Sequence, residues 1–169
     1  MATNKNEDKY NKHLVENDIL CKDQHAFVRG RSTCTNLLEA LNDWTQNAQD
    51  NCPTMVIYVD FSKAFHVVQH DGLFLKLPSY GICEVLLNWI INLFSNRTIS
   101  NKINDLLLAV ANLICGVIQG SILARLFLIY INDLVVLVGL SCFGVKVKLF
   151  ADDAKLYDKV VNAVAIDEL

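Results

Sequence analysis

The run Lys148-Leu149-Phe150-Ala151-Asp152-Asp153-Ala154-Lys155-Leu156 sets two adjacent carboxylates between two short apolar, β-prone segments. That pattern places Asp152 and Asp153 at the tip of a hairpin. Val145, Val147 and Leu149 alternate with Lys146 and Lys148, as in a half-buried strand, and Leu156-Tyr157 continues beyond the turn. Side-by-side like charges repel, and a chain rarely keeps such a pair in apolar surroundings unless a cation neutralises it.

A third acid, Asp60, ends the apolar run Met55-Val56-Ile57-Tyr58-Val59. Its continuous β-branched and aromatic character predicts a central strand buried on both faces. Three carboxylates at the ends of buried strands can hold two divalent ions, an arrangement suited to phosphoryl transfer. This requires the Asp60 strand and the acid hairpin to be neighbours in one sheet, and composition alone does not prove that adjacency.

The remaining segments predict helices around that sheet. Residues 1–23 are polar and read as a loosely ordered lead-in. Ser32 to Asn36 offers several N-caps, and Leu37, Leu38, Leu41 and Trp44 recur at helical spacing, giving an amphipathic helix to about residue 49. His70 to Leu77 reads as a short helix stopped by Pro78 and Gly81, and Glu84 opens another whose apolar face is Val85, Leu86, Trp89, Ile90 and Phe94. Residues 97–118 read as a hairpin turning near Asn104-Asp105, Ile122 to about Leu134 as a helix, and 158–169 as the start of one more. The order helix, strand, helices, hairpin, helix, strand-turn-strand is α+β.

Length and composition agree with a packed domain. The chain has 169 residues, 53% of them hydrophobic and 20% charged, which excludes disorder. Its mean hydropathy of +0.29 is high for a soluble domain. The formal charge of −3 does not announce a nucleic-acid binder, although basic groups cluster at Arg29-Arg31, Arg97-Lys102 and Lys146-Lys148. The six cysteines are widely spaced with no C-x-x-C pair, which suggests reduced core thiols rather than a disulfide framework or zinc site. The first twenty residues lack the apolar core of a signal peptide, so an intracellular location, nuclear or cytoplasmic, is expected. Gln119, Arg125, Asn132 and Asp133 interrupt the apolar stretch 103–140, and no membrane span is expected.

Five motifs occur in a fixed order: Gln24-His25-Ala26-Phe27-Val28-Arg29-Gly30-Arg31-Ser32-Thr33, Tyr58-Val59-Asp60-Phe61-Ser62-Lys63-Ala64-Phe65, Gly116-Val117-Ile118-Gln119-Gly120-Ser121, Leu128-Ile129-Tyr130-Ile131-Asn132-Asp133-Leu134 and Phe150-Ala151-Asp152-Asp153. Together they resemble the reverse transcriptase domain of non-LTR (LINE-type) retrotransposons, over roughly residues 24–160. The resemblance implies a polymerase palm, an antiparallel sheet packed by helices, with part of the fingers. It implies that Asp60 and Asp152, with Asp153 in support, ligate two Mg²⁺ ions, with Mn²⁺ as a substitute, for RNA-directed DNA synthesis from an RNA template, a DNA primer and dNTPs. It assigns Phe65 to the sugar of the nucleotide, Gln119-Gly120 to the incoming nucleotide and template base, and Arg29 and Arg31 to template phosphate.

The chain departs from the family's pattern at His66 (usually Asp), Gln69, Ile118 and Arg125 (usually Pro), Ala124 and Ala26 (usually Gly) and Val28 (usually Arg). None of these is a metal acid. The fingers hairpin is expected before residue 24 and the thumb after residue 169, so residues 24–169 read as a partial domain from an incomplete copy, without thumb or endonuclease. The alternative is a catalytically inactive remnant that binds nucleic acid or protein.

Overall fold

A computed structural model describes residues 5–95, 97–100, 102–104, 106–107, 109–117, 124–142 and 144–160. Helices α1 (Lys5–Glu16) and α2 (Thr33–Gln49) precede strand β1 (Thr54–Asp60). Then come α3 (His70–Lys76), α4 (Glu84–Phe94), the short strands β2 (Thr98–Ile99), β3 (Lys102–Ile103), β4 (Leu106–Leu107) and β5 (Ala111–Asn112), α5 (Ala124–Ile131), α6 (Leu134–Ser141), β6 (Lys146–Phe150) and β7 (Asp153–Lys159). The fold is α+β with an antiparallel sheet packed by helices. It divides into two compact units, one of Met1–Ile19 and Lys63–Tyr130, the other of Leu20–Ser62 and Ile131–Leu169.

The second unit is built on the sheet β1-β7-β6, antiparallel throughout. Val147, Leu149 and Ala154 form the core on one face, with Val59 and Leu156 and with Leu134, Val135 and Val138 of α6 packed against them. Helix α2 covers the opposite face. Its start is fixed by a reciprocal cap in which the Thr35 N–H donates to Ser32 Oγ (3.2 Å) and the Ser32 N–H donates to Thr35 Oγ1 (2.8 Å). Further along, Asp43 accepts from the Tyr157 hydroxyl at 2.6 Å and Trp44 stands edge-on to the Tyr157 ring at 5.8 Å. The free edge of β6 is lined by residues 23–25, which exchange backbone bonds with Leu149 at 2.9 and 3.0 Å.

The first unit is helical around an apolar centre. Tyr10 is 0% exposed and Leu14 of α1 is also buried, as are Ile90 and Phe94 of α4 and Leu126 to Ile129 of α5. Arg125 does not break this core, because its guanidinium donates to Asn11 Oδ1. Burial pushes the Tyr10 hydroxyl well above its ordinary pKa, with the charge of Arg125 opposing.

Several expectations change. Residues 5–16, read as a loose lead-in, are helical because Tyr10 and Leu14 share a buried stripe at i, i+4 spacing. β1 is an edge strand, not a central one: among the described residues only β7 pairs with it, and Ile57 and Tyr58 are 48% and 69% exposed. The helix expected to about Leu134 stops at Ile131, and α6 follows a break at Asn132-Asp133. Contrary to the expectation of no span, Ala124–Ser141 is long and apolar enough to cross a membrane by length and composition; the α5 half of it is mostly buried and the α6 half has no buried residue. The hairpin turning near Asn104-Asp105 is present as β3-β4. The cysteines are all free, but none is fully buried. The helix expected from residue 158 is strand to Lys159, and residues 161–169 lie outside the described residues.

Candidate metal centre

The β6–β7 hairpin closes through Ala151-Asp152 between the paired residues Phe150 and Asp153. The turn has a left-handed residue at Ala151, with φ of 56°, an unusual position for a side chain with a Cβ. Antiparallel pairing of β1 with β7 runs from Thr54↔Lys159 to Asp60↔Asp153. The last rung therefore brings Asp60, over ninety residues away in sequence, opposite the acid turn.

The electrostatics follow from that register. The Asp153 carboxyl is held above the usual Asp range by partial burial first, then by the negative charges of Asp152 and Asp60. Directly opposed like charges destabilise a ladder. Hard carboxylate oxygens are the donors Mg²⁺ and Mn²⁺ prefer. Among the described residues, no three His, Cys, Asp or Glu side chains stand close enough to form a complete metal cage. Asp60, Asp152 and Asp153 share one end of the sheet and supply donors of the right kind, without a closed site.

Beside the acids lies a cleft of ≈330 Å³, lined by Asp60, Asp153, Tyr58, Phe150, Leu37 and Lys155 among others. The Lys155 ammonium lies 5.6 Å from the Trp44 ring and 5.8 Å from the Tyr58 ring, and donates to Asn36 Oδ1 at 3.3 Å. Partial burial lowers its pKa.

A polar network that sequence reasoning did not single out backs this hairpin. Gln24, His25 and Asn36 are all buried. Asn36 donates to the Leu149 carbonyl at 3.1 Å, and Gln24 Oε1 accepts from the Ala26 and Ala151 N–H groups at 2.9 and 3.0 Å. His25 meets Thr35 Oγ1 at 2.9 Å, and its other ring nitrogen lies 3.4 Å from Glu39. Burial lowers the His25 pKa, with Glu39 opposing. Lys148 bridges Asp23 at 2.8 Å and Glu39 at 2.7 Å. Burial alone would lower the Lys148 pKa, but those two carboxylates outweigh it and raise it. The signal was in the first motif, where Gln24-His25 precedes a helix cap without any apolar periodicity of its own.

The other expected site residues fall as follows. Arg31 is turned inward: its guanidinium donates to the Gln24 carbonyl at 2.8 Å and to that of Lys22, closing the loop, whereas Arg29 is exposed. Phe65 belongs to the first unit, is 6% exposed and stacks on Phe127 with centroids 4.2 Å apart. Gln119 and Gly120 lie outside the described residues. The segment leading to them docks on the Phe65 segment, since the Val117 N–H donates to the Phe65 carbonyl at 2.7 Å and the Gly116 N–H to that of Val68 at 2.8 Å. Gly116 is required there, with φ of 91° and His66 O only 3.0 Å from where a Cβ would sit.

The α+β fold, with helices packed on an antiparallel sheet, is consistent with a polymerase palm-like fragment. Residues 4–162 match the family model described as reverse transcriptase (RNA-dependent DNA polymerase), and the chain belongs to that family. The match includes α1 as well as the motifs. No curated protein matches the chain.

Proposed function

We propose that this chain carries the metal-binding end of a retrotransposon-derived, LINE-type reverse transcriptase palm, built for two-metal nucleotidyl transfer. The observation that carries the reading is the Asp60↔Asp153 rung with Asp152 adjacent at the turn. Asp60, Asp152 and Asp153 would hold two Mg²⁺ or Mn²⁺ ions, which when bound activate the primer 3′-hydroxyl and neutralise the leaving pyrophosphate. The protein's part is to present these carboxylates together and to position primer, RNA template and dNTP. Phe65 and Gln119-Gly120 are proposed for the nucleotide, a reading supported by the bonds that tie residues 116–117 to residues 65–68. Of the two arginines proposed for template phosphate, exposed Arg29 is the better placed.

A non-catalytic remnant that binds nucleic acid or protein is the second reading, favoured by the lack of a complete three-acid cage among the described residues. Primer extension on an RNA template with Mg²⁺, comparing the wild type with Asp152→Asn, separates the two. Extension lost in the variant supports the polymerase, and signal that is equal in both sinks it.

A further inference from the structure

Gln24 is 1% exposed, and its side-chain oxygen accepts two backbone N–H groups, from Ala26 at 2.9 Å and from Ala151 at 3.0 Å. Both partners donate, so the amide oxygen must face them. One of those partners is the residue of the acid turn that adopts a left-handed backbone, φ of 56°, without being glycine. An alanine there is strained, and its buried N–H lies beyond the last ladder pair, Phe150↔Asp153. Gln24 supplies the missing acceptor. Its own backbone is held against the same hairpin, bridging Leu149 in parallel, with the His25 N–H donating to the Leu149 carbonyl at 3.0 Å. Main chain and side chain thus grip β6 and the turn from one short segment.

We propose that Gln24 is a positioning residue for the metal acids: its side-chain oxygen holds Ala151 in the left-handed conformation that presents Asp152 and Asp153 side by side at the end of β1. The role rests on the metal-site reading above. Gln24 would act on the acids only through the Ala151 backbone, and residues that hold a ligand in place shape its geometry without touching the ion.

The test uses the full chain and Mn²⁺ as the probe, with free Mn²⁺ counted by electron paramagnetic resonance. Gln24→Met keeps the volume and removes the acceptor. Mn²⁺ binding that Asp152→Asn abolishes should weaken about tenfold in Gln24→Met. Adding Ala151→Gly to that variant should recover about fivefold, because glycine adopts the left-handed turn unaided. A general loss of packing would not be repaired by that glycine. Equal Mn²⁺ affinity in wild type and Gln24→Met overturns the proposal while leaving the metal site standing. Wild-type binding insensitive to Asp152→Asn overturns the metal-site reading instead. Amide hydrogen exchange of the wild type then decides the clamp independently, and does so too if Gln24→Met fails to fold. Slow exchange at Ala151 sustains it, and exchange at the rate of an open turn overturns it.

Discussion

Asp60 and Asp153 are direct partners in the last rung of the β1–β7 ladder. Two carboxylates from distant parts of the chain thus face one another at one end of a sheet, with Asp152 next to them in the turn. Burial and both neighbouring charges raise the Asp153 pKa. An acid whose folded pKa lies above its unfolded value holds its proton more tightly when folded, so stability falls as pH rises through the window opening at about 3.9. In cation-free buffer, Asp153→Asn should escape that fall. Its urea midpoint should gain on the wild type between about pH 3.5 and pH 6. Added Mg²⁺ should shrink the gap, and a gap independent of pH contradicts the repulsion.

His25 works with the opposite sign. Its folded pKa is lowered by burial despite Glu39, so its contribution is present above the ordinary value of about 6.5 and is lost as pH falls through the folded pKa. Melting temperatures of wild type should drop as pH falls from about 7 to 5, and His25→Asn should flatten that slope.

Lys148 joins Asp23 and Glu39 between α2 and β6. The hydrogen bond from Lys148 leads the causes that hold the Glu39 carboxyl below its usual range. Lys148→Met should return Glu39 toward about 4.3, read by carbon-13 titration of its carboxyl. The variant should also lose about 1–2 kcal/mol in denaturant unfolding, a figure discounted because Glu39 is half exposed.

The Phe65–Phe127 stack is a core contact of the first unit. Phe65→Ala should cost about 3–5 kcal/mol through the cavity it leaves. A double-mutant cycle with Phe127→Ala should return a coupling of about 0.5–1.5 kcal/mol for the ring pair.

Much of this arrangement was legible in the sequence. The alternation around Lys146 and Lys148 gave the hairpin, and the two acids between apolar arms gave its tip. The resemblance supplied the adjacency of Asp60 that periodicity could not, because a ladder between residues 60 and 153 leaves no local signature. β1 reads as central because it is apolar throughout, yet among the described residues it lies at the edge, since an apolar run does not say how many strands flank it. Tyr10 and Leu14 were hidden by the polar residues around them. The buried roles of Gln24, His25 and Asn36 were hidden for a different reason: a polar residue inside a core is recognised only from its partners, and those partners lie on β6 and its turn.

Paramagnetic broadening by substoichiometric Mn²⁺, followed in the nuclear magnetic resonance spectrum of the full chain, shows whether Asp60 and the acid turn share one divalent cation. If they do, the amides of Asp60, Asp152 and Asp153 broaden together at the same Mn²⁺ concentration, and Asp152→Asn abolishes the effect at all three. Broadening at the turn without Asp60, or broadening unchanged in the variant, rules out a shared ion.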